Sequence, residues 1–175
     1  MVIEMAVYLS TSYGYNNLLS IKLTNTQNIK TFPSFQQVLQ LPVSQLQSYI
    51  PILATDLHNI RFVYNGTAIT AGLESISNGI ATIWVNINVS IPANSSITIY
   101  MEVDPSLNFD GVYWNKTVGS INLFRRISGI AVNFSIGSSQ IIFGTQTNTQ
   151  TTSNNTISSG TIVNTSSSGN LIVAN

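Results

Sequence analysis

The stretch that decides the fold runs from Asn78 to Val103, NGIATIWVNINVSIPANSSITIYMEV. In its first half Ile83, Val85, Ile87, Val89 and Ile91 alternate with Thr82, Trp84, Asn86, Asn88 and Ser90. In its second half Ile97, Ile99, Met101 and Val103 alternate with Ser96, Thr98, Tyr100 and Glu102. Side chains on a β-strand point to opposite faces with period two, so each half offers one apolar and one polar face. Pro92, Ala93, Asn94 and Ser95 supply turn chemistry between them. The stretch reads as a β-hairpin that forms half of a sandwich core.

The same periodicity extends in both directions. Ile3, Met5, Val7 and Leu9 share one face of a first strand, which reads either as part of the sandwich or as a donor strand for a neighbour's sheet. Leu19, Ile21 and Leu23 make a second strand; Leu39, Leu41 and Val43 lie on one face of a third, which Pro42 marks as an edge or an end. Residues 44–57 carry the one helical spacing, Leu46, Tyr49 and Ile50, which Pro51 ends after about a turn. Asn65-Gly66 is a hairpin signal, because both residues tolerate positive φ. Residues 69–76 read as its return strand, and Ser77-Asn78-Gly79 as the next turn. Further strands are expected near 112–114, at Ile121 and Leu123, at Ile130 to Ile136, and at Ile141 with Phe143. Short strands at this spacing predict an all-β, antiparallel sandwich of jelly-roll or immunoglobulin-like kind over residues 1–144. From Thr145 to Asn175 the chain turns to Thr, Ser, Asn and Gln, broken by two apolar islands, Ile162-Val163 and Leu171-Ile172-Val173. That extension is too polar for a core of its own and reads as a stalk, a linker or a donor-strand tail.

Composition narrows the function classes. Only 7% of the 175 residues are charged and the net charge is +0, against about 25% charged in an average soluble domain. A nucleic-acid binder needs a basic patch, and six Lys and Arg in all do not supply one. There is no cysteine, so disulfide and thiol chemistry are excluded. No run approaches the roughly 18 apolar residues of a membrane helix. The start, MVIEMAVYLS, lacks the basic region of a signal peptide, which implies a signal already removed or another route out of the cell, for instance inside a virion.

Residues of about 15–103 resemble the surface-protein β-sandwich family of unknown function number 2341. The resemblance rests on LLSIKLTNTQ at 18–27, DLHNIRFVYNGTAI at 56–69, GLESI at 72–76, ATIWVNI at 81–87 and IPANSSITIYM at 91–101. The sequence departs from the family pattern at 70–73, where larger aromatic residues are usual, and lacks the Tyr-Gly that tends to follow the last strand. Such domains occur in large secreted and cell-surface proteins, mostly archaeal and bacterial. The resemblance implies a fold and a location rather than an activity.

Seven Asn-X-Ser/Thr sequons start at Asn65, Asn88, Asn94, Asn115, Asn133, Asn154 and Asn164, and all are candidate N-glycan acceptors. Asn65 and Asn94 fall in expected turns, Asn88 and Asn133 on expected outward faces. Asp104, Ser106, Asn108 and Asp110 alternate oxygens as a calcium loop does, but the twelve-residue pattern is incomplete and no metal is expected. Arg61 and Glu74 are expected as a cross-strand pair beside the Asn65-Gly66 turn. His58 is the one histidine, beside Asp56, with no nucleophile elbow to serve. Trp84 and Tyr100 are expected on the polar face of the hairpin as a candidate sugar-stacking platform. No acid–base pair is identifiable, so the chain is not expected to be an enzyme or to need a cofactor. The first expectation is a glycosylated structural subunit of an extracellular filament or virion surface. It would associate with its own kind by β-strand complementation through Ile3, Met5, Val7 and Leu9 or through Leu171, Ile172 and Val173. The alternative is a carbohydrate-binding or adhesion module that uses Trp84 and Tyr100 on cell-surface glycans.

Overall fold

The computed structural model of the chain describes residues 17–118, 125–137 and 139–141. Ten strands and one short helix follow in order: β1 (Leu18–Asn25), β2 (Phe35–Pro42), α1 (Val43–Tyr49), β3 (Ile60–Tyr64), β4 (Thr67–Ile69), β5 (Ala71–Ser77), β6 (Ile80–Ile87), β7 (Ser96–Val103), β8 (Trp114–Asn115), β9 (Ile130–Ile136) and β10 (Ser139–Ile141). They form an all-β sandwich. One sheet has the order β10-β9-β1-β7-β3-β4 and the other β2-β6-β5-β8. Every pairing is antiparallel except β5 with β8, which is parallel.

The period-two reading of the faces holds. Leu19, Ile21 and Leu23 of β1 and Ile99, Met101 and Val103 of β7 face Phe35, Leu39 and Leu41 of β2 and Ile83, Val85 and Ile87 of β6 in one continuous core. Burying each such side chain fully contributes about 1.5–3 kcal/mol relative to leaving it in water. Helix α1 stops two residues before Pro51. With the following loop it closes one end of the core through Leu46, Ile50, Leu53 and Leu57. Leu57 is left-handed at φ 61. Its side chain is locked in the core and its carbonyl accepts the Trp114 indole N–H at 2.8 Å, which holds an otherwise unfavourable backbone.

The deciding stretch is not a hairpin. Strand β6 pairs with β2 and β5, whereas β7 pairs with β1 and β3 in the other sheet. The link between them crosses the end of the sandwich because the loop before β2 holds it there. The Thr31 N–H donates to the Ile91 carbonyl at 3.0 Å, the Ile91 N–H donates to Thr31 Oγ1 at 2.9 Å, and the Ile91 side chain is buried. Two hairpins turn at Asn-Gly pairs, Asn65-Gly66 between β3 and β4 and Asn78-Gly79 between β5 and β6; β9 and β10 form a third. Positive φ at all four residues gives both the mirror-image turn that suits the strand twist.

The expected return strand over 69–76 is also divided. Strand β4 ends at Ile69, and Thr70 carries the chain to the opposite sheet, where its carbonyl accepts the Asn86 N–H at 2.9 Å. Arg61 therefore stands opposite Glu102 on β7, not beside Glu74. The expected strand near 112–114 is reduced to β8, with Val112 and Tyr113 exposed. The expected strand at Ile121 and Leu123, the end of the last strand at Phe143, and the extension from Thr145 lie outside the described residues, as does the first strand at Ile3 to Leu9.

Candidate functional site

Two ends and two outer faces of the sandwich carry the residues singled out by chemistry. At one end lie the finish of β1, the start of β2, the finish of β6 and the start of β7. Asn25 organises it. Its buried amide donates to the carbonyls of Ile29, Ile91 and Pro92 at 2.7, 3.1 and 3.2 Å, and its Oδ1 accepts the Gln27 N–H at 3.0 Å. The loop 26–34 and the crossing 88–95 are thereby joined. Asn88 and Asn94 sit exposed in that crossing, and Asn65 sits exposed in the β3–β4 turn, which points towards the same end. Asn133 is exposed on the outer face of β9, opposite Lys22.

Asn115 departs from the expected set of glycan acceptors. It is 1% exposed, and its Nδ2, the atom that would carry a sugar, donates to the carbonyls of Ala71 and Val112 at 3.0 and 3.3 Å. A folded chain has no room for a glycan there. Its Oδ1 is buried without a hydrogen-bond partner among the described residues. Asn154 and Asn164 lie outside the described residues, as do Leu171, Ile172 and Val173 and the set Ile3, Met5, Val7 and Leu9.

Trp84 and Tyr100 are not brought together. Trp84 points out of the four-stranded sheet and is 5% exposed, with its indole N–H donating to Glu74 Oε1 and the Arg126 guanidinium 5.9 Å from the ring centroid. Tyr100 is 4% exposed on the outer face of the six-stranded sheet, clustered with Leu18 and Val63. Burial pushes its hydroxyl pKa up. The expected shared platform fails because the two strands belong to different sheets.

The chain after β8 passes over the four-stranded sheet at Gly72. A Cβ on Gly72 would meet the Thr117 carbonyl oxygen at 2.9 Å and the Val118 Cα at 3.2 Å, so the bare strand position is what admits the strap. At β2, the Gln36 N–H donates to the Arg125 carbonyl at 2.7 Å and the Arg125 N–H donates to Gln36 Oε1 at 2.8 Å. An isolated glycine inside a strand pattern signals such a close approach, and Gly72 was the residue that carried that signal.

At the other end, the alternating oxygens of 104–110 are spent on the backbone. Asp104 Oδ1 accepts from the N–H and hydroxyl of Ser106 at 2.8 and 2.7 Å. Asp110 Oδ1 accepts three N–H groups, those of Val112, Tyr113 and Trp114, at 2.9, 2.8 and 2.9 Å. Burial raises the Asp110 pKa, but those three donors and the Arg61 charge outweigh it, and the net shift is downward. Glu102 moves the opposite way: burial and the nearby Asp104 raise its pKa against the pull of Arg61. His58 Nδ1 and Asp56 Oδ1 lie 2.6 Å apart on the surface, and this hydrogen bond leads the causes that lower the Asp56 pKa. Among the described residues no three His, Cys, Asp or Glu side chains converge as metal ligands. No described helix is long and apolar enough to cross a membrane.

Among the described residues, the lower half of the β5 edge has no paired neighbour. Strand β5 runs from Ala71 to Ser77, but β8 pairs with Ala71 and Gly72 alone. A register shift falls between Leu73 and Ser75, and Glu74, Ser75, Ile76 and Ser77 are all exposed. Ile76 keeps 40% of its surface in water.

Among the described residues, the fold and surface define a β-sandwich domain with a polar, asparagine-rich end and a partly unpaired strand edge. Over 113 residues it is 35% identical to "Uncharacterized protein 562" of Sulfolobus islandicus rod-shaped virus 1, a match that covers 62% of this chain and 18% of that protein. The chain thus spans less than a fifth of the viral protein's length. No protein-family model matches the chain, and no solved structure matches it significantly.

Proposed function

We propose that the chain is a non-enzymatic structural domain of a glycosylated assembly on a virion or outside the cell, joined to its neighbours by β-strand addition. The observation that carries this reading is the lower half of β5, where Glu74 to Ser77 are exposed and, among the described residues, the neighbouring strand β8 pairs with Ala71 and Gly72 alone. An unpaired strand edge offers a row of backbone donors and acceptors to an incoming strand. The bulge at Glu74 limits indiscriminate pairing, since bulges twist an edge away from flat partners. The similarity to a rod-shaped-virus protein supports the virion setting. The alternating segment Ile3 to Leu9 and the apolar island Leu171 to Val173 supply candidate donor strands.

Cryo-electron microscopy of undenatured native material tests this. The expected result is a strand from an adjoining chain alongside residues 73–77. Subunits whose β5 edge faces solvent in the intact assembly would refute the proposal.

A further inference from the structure

We infer that N-glycans on Asn88 and Asn94 form a cap over the exposed Ile29 and Phe32 of loop 26–34, and that this cap keeps one end of the sandwich from self-associating. The inference rests on the extracellular or virion setting proposed above. Ile29 is the most exposed large apolar side chain of the described surface, at 66%, and Phe32 in the same loop is 43% exposed. The Arg125 guanidinium lies 4.2 Å from the Phe32 ring centroid and covers that ring, so Ile29 is the main apolar surface left to the cap. The two sequon asparagines touch the two ends of this loop. The Asn94 N–H donates to the Gln27 carbonyl at 3.1 Å, and Asn88 Oδ1 lies 3.4 Å from the Ser34 hydroxyl that donates to it. Ile29 lies between those anchors, its carbonyl held by Asn25.

The amide nitrogen separates usable sequons from unusable ones. At Asn88 the hydrogen bond with Ser34 uses the oxygen, which a glycan leaves in place. Asn94 is exposed at φ 53 in a turn. At Asn115 the nitrogen is buried and donates twice. In the transfer step the Asn Nδ2 attacks C1 of a sugar carried on a lipid phosphate. The N–C1 bond forms, the C1–O bond to phosphate breaks, the lipid phosphate leaves, and the amide proton passes to the transferase. Asn65 points towards the same end, and no described sequon lies at the end closed by α1.

Glycopeptide mass spectrometry of the full chain from native material is the first test. Sugar on Asn88 and Asn94, with Asn115 bare, is expected. Bare Asn88 and Asn94, or a glycan on Asn115, would overturn the inference. The second test uses the full chain made in a host without N-glycosylation, probed with an apolar-surface dye and by sedimentation. Dye binding and self-association are expected, with both lost in Ile29→Ser. A sugar-free chain that stays monomeric and dye-silent would overturn the cap. The Ile76→Lys variant separates this from strand addition: it blocks the β5 edge and leaves both asparagines and loop 26–34 untouched.

Discussion

Replacing Gly72 with alanine is expected to loosen the strap from the four-stranded sheet without disturbing the core. The new Cβ meets backbone atoms, Thr117 O at 2.9 Å and Val118 Cα at 3.2 Å, so no side-chain rotation relieves the clash. Forcing extra methyl volume into a packed site costs about 1–3 kcal/mol. For a chain of this size each kcal/mol lowers Tm by about 2–4 °C, which places the expected drop at roughly 2–12 °C. The loss should be local before it is global. Strand β8, from which the strap leaves, is tied to β5 by the Ala71 N–H donating to the Tyr113 carbonyl at 2.9 Å and by Asn115 Nδ2 donating to the Ala71 carbonyl at 3.0 Å. Hydrogen exchange should therefore accelerate at the Ala71 amide while Ile83 and Ile99 stay protected. Gly66→Ala is the comparison, because at φ +79 its Cβ meets nothing within 4 Å and its cost is purely conformational. A Gly72→Ala chain with unchanged Tm and unchanged protection at Ala71 would refute the close-approach argument.

Asn115→Ala should destabilise by about 2–4 kcal/mol in urea unfolding, since it strips two backbone carbonyls of a buried donor. A wild-type midpoint would show that water replaces the amide freely. Asp110 has a lowered pKa in the folded chain, so its contribution is present above the unfolded pKa and lost as pH falls through the folded value. Asp110→Asn should therefore lower Tm near neutral pH and flatten the acid limb of Tm against pH; an acid limb as steep as wild type would exclude the carboxylate as its source. A double-mutant cycle should give Arg61 a coupling of about 0.2–1 kcal/mol with Glu102 and none with Glu74, following their positions in the sheet. Coupling to Glu74 would contradict the sheet crossing at Thr70.

Much of the fold was legible because it depends on local periodicity. Alternation along 80–87 and 96–103 named the buried face of each strand correctly, and two Asn-Gly pairs named two turns. What alternation cannot encode is which sheet a strand joins. Nothing in NVSIPANS states that its backbone will be held across the sandwich end by Thr31 and Asn25, so the two halves were read as partners. The return strand after Asn65-Gly66 failed for the same reason. Asparagine was the other blind spot. In a chain rich in this residue, Asn25, Asn59 and Asn115 look like surface polar groups, yet each is buried and pins a loop. Asn59, for instance, donates to the Ile52 carbonyl and accepts from the Ala54 N–H at 2.8 and 2.9 Å. Their burial depends on which carbonyls the fold gathers around them.

The placement of β1 between β7 and β9 has a consequence for synthesis. Leu19 finds its cross-strand neighbour only at Met101, 82 residues later by the difference of their numbers, and β9 comes later still. At roughly 5–20 residues per second, a ribosome leaves β1 without either neighbour for about 4–16 s. Throughout that interval β1 lacks the sheet partners that satisfy its backbone, while the two Asn-Gly hairpins can close in microseconds. The domain must therefore fold late and as a whole, with its first strand waiting longest.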